Sequence, residues 1–186
     1  MMGAIAARRI GKRSVGYLGL ILLAAAMNGC PSGLPPVNDP AYASLDSIRD
    51  SGESVARVYA TPIPGLPARH TWFVIKRADW DEFRRWEVFI YNGGIYGYVF
   101  RDLFPPEADL GAGGTQVIAE VRGPEAEPLI DCIDRVAAEY PCRDYYVFYP
   151  GPNSDSYTQW VLNQCGWDVE LPDDVIGKDV TCPFSN

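Results

Sequence analysis

Three side chains in this sequence could together carry out acyl-transfer chemistry. Ser154 follows a tight turn and opens a predicted helix, where free backbone N–H groups would stabilise an oxyanion. His70, the single histidine, opens a predicted strand and could accept the serine proton. Glu87 lies on a neighbouring predicted strand and could orient the imidazole ring. The pattern predicts a hydrolase or acyltransferase site that acts on an amide or an ester, with Ser154 as nucleophile and His70 as base.

The same residues also have a structural interpretation. The sequence Pro-Gly-Pro-Asn-Ser-Asp at residues 150–155 is typical of a turn followed by a helix cap. His70 would then be a hydrogen-bonded residue at a strand end. On this interpretation the domain is a catalytically silent module, which uses Asn153 and Asp155 beside Ser154 to bind a peptide, a glycan or a lipid.

The elements that must position these residues can be read from hydropathy. Arg69–Lys76 is apolar on both alternating faces, as expected for a central strand, and Asn92-Gly93-Gly94 indicates a hairpin. The remaining predicted elements are strands at 86–91, 95–100, 115–121 and 145–149 and helices at 124–140 and 154–165. This order predicts an α+β fold, an antiparallel sheet with two packed helices, in a single globular domain over residues 54–186.

The first 29 residues have the pattern of a signal peptide. A basic stretch precedes the apolar run at residues 15–27, which would span roughly 20 Å as a helix and so falls short of the hydrocarbon core of a bilayer. The run ends in Met27-Asn28-Gly29-Cys30, which resembles a lipobox. The resemblance implies lipidation of Cys30 and anchoring at the periplasmic face of the outer membrane rather than the inner membrane. The Pro-, Gly-, Asn- and Ser-rich sequence after Cys30 predicts a tether over residues 30–53. The alternative is ordinary secretion, with Cys30 as a spare thiol.

Charge excludes one class of partner. The sequence after residue 29 holds 12 basic and 24 acidic residues, a net charge of −12. Such a surface repels phosphate backbones, so we expect no nucleic-acid partner. No motif indicates a cofactor or a metal ion.

Four further cysteines make two disulfides the expected arrangement in an exported chain. Three pairings are possible. If helix 154–165 folds back along strand 145–149, both cover roughly 17 Å, which favours Cys142–Cys165 and leaves Cys132–Cys182. A zinc site is the alternative, but the cysteine spacings do not suit it.

Two resemblances add to these observations. The segments 70–76, 150–157 and 176–179 resemble an uncharacterised bacterial family known only as a domain of unknown function, over most of residues 54–180. More distantly, Asn153-Ser154-Asp155-Ser156-Tyr157 resembles the Asn-Cys-x-x-[Phe/Tyr] motif of circularly permuted papain-like proteins. That resemblance implies a permuted papain-like fold, in which Ser154 replaces the nucleophilic cysteine and His70 stands at the place of the base. A serine proton is far harder to remove than that of a cysteine thiol.

Overall fold

A computed structural model describes residues 43–90 and 97–183 of the chain. The predicted signal peptide, Cys30 and the hairpin turn at residues 92–94 lie outside the described residues. None of the helices in the described part is long and apolar enough to cross a membrane.

The architecture is a five-stranded antiparallel sheet with three helices, which confirms the predicted α+β class. The strands are β1 Val55–Pro62, β2 Arg69–Lys76, β3 Arg84–Ile90, β4 Gly97–Arg101 and β5 Gln116–Arg122, in the order β4-β3-β2-β1-β5. The helices are α1 Leu45–Ser51, α2 Glu127–Val136 and α3 Ser154–Cys165. The prediction of β2 as a central strand is confirmed, since it pairs with β1 on one side and β3 on the other.

The two faces of the sheet are covered differently. The helix face packs against α2 and α3 and carries apolar side chains of three strands, namely Ala56, Val58, Phe73, Ile75, Trp86 and Val88. The opposite face packs against α1 and carries a second set, namely Val55, Tyr59, Trp72, Val74 and Phe83. Residues 102–109, which we call the strap, also lie on this second face. We call this face of the sheet the strap face. Successive residues of a strand point to opposite faces, so a shift of one position decides which set a side chain joins.

Helix α3 begins and ends with well-formed caps. The Asn153 side chain accepts hydrogen bonds from the backbone N–H groups of Asp155 and Ser156, and the Ser156 hydroxyl in turn accepts from the Asn153 N–H. Gly166 ends the helix in the left-handed conformation, with φ of 62°. The predicted bounds of this helix are confirmed.

Residues 145–149 do not form the predicted strand. Pro150 and Pro152 have no N–H to give to a ladder, and Val147 donates its own N–H to the Pro152 carbonyl instead. The Tyr146 ring packs directly over Gly97 of β4, at a distance that a Cβ on Gly97 would obstruct. Tyr146 therefore packs against the core, and the run does not pair in the sheet.

The favoured disulfide pairing is wrong, although the expected number of two disulfides is present. The disulfides join Cys132 to Cys165 and Cys142 to Cys182. The argument for Cys142–Cys165 needed a strand at 145–149 that α3 would follow. Because α3 packs beside α2 instead, its last residue, Cys165, reaches Cys132 on α2.

Residues 43–53, which the sequence analysis assigned to the tether, pack onto the domain. Ser44 caps α1, which buries Leu45 and Ile48 against the strap face. The next strand, β1, has no counterpart in the predicted elements. Its fully buried Arg57 interrupts the apolar pattern, and this side chain bonds to the Tyr59 hydroxyl and pairs with Glu120.

Candidate functional site

The structure brings His70 and Glu87 together on the strap face. The His70 Nε2 atom lies 2.8 Å from the Glu87 Oε2 atom, and the two residues are 2% and 0% exposed. An ionised carboxylate can only accept hydrogen bonds, so Nε2 carries the imidazole proton and donates a hydrogen bond to Glu87. This contact is the one that the predicted orientation of His70 by Glu87 requires.

Arg85 completes a buried cluster with these two residues. Its Nη2 donates to Glu87 Oε2 at 2.8 Å, and its Nε lies 2.8 Å from Oε1 in an ion-pair contact that lacks hydrogen-bond geometry. Its Nη1 donates to the carbonyls of Pro105 and Ala108 in the strap, at 2.9 and 2.7 Å. The guanidinium also lies 4.2 Å from the centre of the Trp72 ring. Arg85 thus ties the His70–Glu87 pair to the segment that covers it.

Electrostatics fix the charges in this cluster. Burial alone would raise the pKa of Glu87, but the Arg85 charge and the hydrogen bond from His70 outweigh burial and hold the pKa below its usual value of 4.5. Burial lowers the pKa of His70 below its usual value of 6.5, against the opposing effect of Glu87. At neutral pH the cluster therefore consists of a neutral imidazole beside a buried Arg–Glu ion pair.

Ser154 lies on the other side of the sheet. The residue of β2 that faces the start of α3 is Thr71, whose hydroxyl lies 2.9 Å from Asp155 Oδ1 and 3.4 Å from the Ser154 carbonyl oxygen. His70 precedes Thr71 in the same strand, so its side chain points to the opposite face, where it contacts Trp72 and Glu87. The structure does not bring Ser154 and His70 together.

The surroundings of the Ser154 hydroxyl are also unlike those of a nucleophile. The side chain is 3% exposed and its Oγ donates to Asp155 Oδ1 at 3.4 Å. The nearest titratable partners are Asp155 and the buried phenol of Tyr146. Burial raises the pKa of both of these groups, and neither is an imidazole.

Asn153 is committed to holding the fold. Its Oδ1 accepts from two backbone N–H groups of α3, and its Nδ2 donates to the carbonyls of Phe148 and Ile176, at 3.0 and 2.8 Å. These four bonds use the full capacity of a side-chain amide. Gly177, with φ of 99°, lies so close that a Cβ there would come within 2.7 Å of Asn153 Nδ2. The structural interpretation of the turn therefore accounts for Asn153.

Asp155 forms a separate buried cluster with hydroxyl groups. It is 2% exposed and lies beside Thr71, Ser154 and Tyr146, and the Thr71 hydroxyl also lies 2.9 Å from that of Thr158. Burial raises the pKa of Asp155 to about 8, because the hydrogen bonds from Thr71 and Ser154 only partly offset the loss of solvent. Like Asn153, Asp155 presents no exposed polar group to a ligand.

Sequence reasoning did not identify Arg85 or Thr71 as members of these sites. Strand alternation places Thr71 with Phe73 and Ile75 on one face and His70 with Trp72 on the other, and in the structure the first of these faces receives α3. Arg85 and Glu87 are two residues apart in β3 and so share a face, which was a readable sign of an ion pair. Within the described ranges no cluster of three or more His, Cys, Asp or Glu side chains is arranged to hold a metal ion.

Comparison with known proteins identifies the family of the chain. Residues 53–180 match the family described as "Protein of unknown function (DUF3750)", and the chain belongs to it. This confirms the resemblance to an uncharacterised domain family; the Gly-Pro-Asn-Ser motif and the papain-like relation stay predictions. No curated protein and no solved structure matches the chain.

Proposed function

We propose that this chain is a lipoprotein of the bacterial cell envelope, anchored through a lipid on Cys30, and that its folded domain binds a ligand without chemically converting it. The lipobox-like sequence Met27-Asn28-Gly29-Cys30 supports the anchor, with the preceding basic and apolar stretches. Two disulfides in the folded part are in keeping with an oxidising compartment. The absence of an aspartate after Cys30 favours the periplasmic face of the outer membrane over the inner membrane.

The observation that carries the non-catalytic part of the proposal is the placement of Ser154 and His70 on opposite faces of the sheet. A serine hydroxyl needs a base within hydrogen-bond reach to become a nucleophile. On the helix face the residue of β2 beside α3 is Thr71, whose hydroxyl cannot take up the proton. The carboxyl group that the Ser154 hydroxyl contacts is Asp155, at a long 3.4 Å. The alternative, a hydrolase or acyltransferase that uses Ser154 and His70 with Glu87, would require β2 to rotate its side chains to the other face.

The binding surface that we propose is the exposed aromatic stretch before α3. Tyr149 is 71% exposed, the highest value among the exposed large hydrophobic side chains of the described residues, and Tyr145 is 38% exposed. Tyrosine offers a large apolar ring with a polar tip, which suits contact with peptides, glycans and lipid headgroups. The neighbouring disulfide Cys142–Cys182 holds this stretch to the end of the domain.

Metabolic labelling with a clickable palmitate analogue tests the anchor. The wild-type chain should take up the label and remain in the membrane fraction, and Cys30→Ser should lose both properties. Cys132→Ser is the matched control, since it removes a thiol that we place in a disulfide. Equal labelling of wild type and Cys30→Ser would refute the anchor.

Binding is tested with three probes, namely soluble peptidoglycan fragments, a library of envelope peptides, and vesicles of phosphatidylethanolamine and phosphatidylglycerol. The Cys30→Ser chain should bind at least one probe, and Tyr149→Ala should weaken that binding, whereas Leu66→Ala, an exposed apolar control, should not. Ser154→Ala should leave it unchanged. Binding to none of the three probes, or release of a product that depends on Ser154, would overturn the proposal.

A further inference from the structure

A carboxyl group is buried at the contact between α3 and β2 without a cation beside it. Asp155 is 2% exposed, and its close neighbours Thr71, Ser154 and Tyr146 all present hydroxyl groups. Among the described residues no basic side chain makes a hydrogen bond or an ion pair with it. A buried ionised carboxylate needs such a partner or several hydrogen bonds to offset the loss of hydration.

The start of α3 does not supply those hydrogen bonds. The backbone N–H groups of Asp155 and Ser156, which would otherwise favour an anion, donate to Asn153 Oδ1. The Ser154 hydroxyl lies at 3.4 Å, so its hydrogen bond is a long one. Thr71 is the close donor to the carboxyl group, mainly through its hydroxyl and to a smaller extent through its backbone N–H. The hydroxyl also has Thr158 and the Ser154 carbonyl as neighbours. A single hydroxyl proton can serve only one of these acceptors fully.

The charged and titratable groups that face Asp155 from the surrounding elements do not offset its charge. From the segment before α3 comes Tyr146, a neutral phenol, and from the segment after α3 comes Asp174, whose negative charge disfavours a second carboxylate. On β2, Arg69 shares the face of Thr71, but its guanidinium binds Asp174 at 2.7 Å and Gln116 at 3.1 Å. From α3 itself come Ser154 and Thr158, which do not titrate near neutral pH.

We propose that Asp155 is held as a neutral carboxylic acid in the folded domain, as the proton-bearing link between α3 and β2, and that its ionisation at alkaline pH weakens this contact. With the proton present, the carboxyl O–H donates to the Thr71 hydroxyl, which in turn donates to the Thr158 hydroxyl. Loss of the proton reverses the direction of the first bond and leaves a buried charge. The link is therefore a pH-sensitive device built into the packing of the domain.

The sign of the effect follows from proton linkage. Burial raises the pKa of Asp155 from 3.8 to about 8, so the folded state holds more protons than the unfolded state between these values. Stability contributed by this group is complete below pH 3.8 and is lost as pH rises toward about 8. The folding equilibrium constant falls by up to tenfold for each pH unit in that window on account of Asp155 alone.

The test compares the full chain with Asp155→Asn and Asp168→Asn, with disulfides intact, in urea denaturation at several pH values. Asn keeps the shape of Asp but does not titrate, and Asp168 is an exposed control. We expect the wild type to lose stability relative to Asp155→Asn as pH rises from about 4 to about 8, and to run parallel to Asp168→Asn.

Two outcomes would overturn the proposal. A stability difference between wild type and Asp155→Asn that does not change with pH would show that Asp155 has an ordinary pKa. A wild type that gains stability relative to Asp155→Asn as pH rises would show an ionised carboxylate stabilised by the α3 dipole. Should Asp155→Asn fail to fold, infrared spectroscopy on wild type decides: a protonated carboxyl band at neutral pH supports the proposal, and its absence overturns it.

Discussion

Glu87→Ala should destabilise the domain more than any exposed ion-pair substitution. Glu87 is 0% exposed and Arg85 is 1% exposed, and the two are joined by two contacts of 2.8 Å. Removal of the carboxylate leaves the Arg85 guanidinium buried with the Pro105 and Ala108 carbonyls as its hydrogen-bond acceptors and no negative charge beside it. Breaking a buried ion pair in this way costs about 3–5 kcal/mol. That loss is a large part of the roughly 5–15 kcal/mol that is the typical free energy of unfolding of a whole domain.

The measurement is equilibrium unfolding of the oxidised chain in guanidinium chloride, followed by the fluorescence of its five tryptophans, one of which, Trp72, lies beside Arg85. The matched control is Glu53→Ala, which removes the partner of Arg122 in a pair whose side chains are 45% and 36% exposed. The control should cost less than about 1 kcal/mol. The double substitution Arg85→Met with Glu87→Leu should recover part of the loss, because no unpaired charge remains. A loss below about 1 kcal/mol for Glu87→Ala would refute the buried-pair reasoning.

Three further predictions concern pH, capping and the covalent links. Since the pKa of His70 is lowered in the folded state, the unfolded state takes up the proton first as pH falls. The wild type should therefore lose stability relative to His70→Gln below pH 6.5. Denaturant midpoints between about pH 4 and 8 check this, and a stability difference that stays constant with pH contradicts it. Asn153→Ala should lower the free energy of unfolding by about 2 kcal/mol or more, and Ser154→Ala by under about 1 kcal/mol. The reason is that, of the two side chains, only Asn153 bonds across to the Ile176 carbonyl. Equal losses of the two variants in urea unfolding would argue against this. Mass spectrometry of peptides from the non-reduced chain should recover two linked pairs, and any other linkage contradicts the structure. The pairs are Cys132–Cys165 and Cys142–Cys182.

Local sequence patterns predicted those parts of the fold that depend on local physics. Arg69–Lys76 was identifiable as a central strand because it is apolar on both faces, and α3 because Asn153 and Gly166 are strong caps. Strand β1 was missed because its buried Arg57 reads as an exposed position in the sequence. The partners that make this burial tolerable, Tyr59 and Glu120, include one that is distant in the chain.

The candidate site was predicted in part. The contact of His70 with Glu87 arises from two adjacent strands, and the sequence placed both residues on neighbouring strands. Their separation from Ser154 depends on the exact register of β2. Thr71 faces α3 in the structure, and a shift of one residue would put His70 on that face instead. Sequence spacing alone does not determine which face receives a helix, so the chain order of serine and histidine could not reveal their distance.

The central claim, that Ser154 has no imidazole base and is not a nucleophile, is tested most directly with a fluorophosphonate probe, which labels only activated serines. The full chain is incubated with the probe beside Ser154→Ala and His70→Gln, and labelled peptides are identified by mass spectrometry. The account predicts no label on Ser154 in the wild type. Label on Ser154 that disappears in His70→Gln would contradict it, because it would show that the two side chains act together.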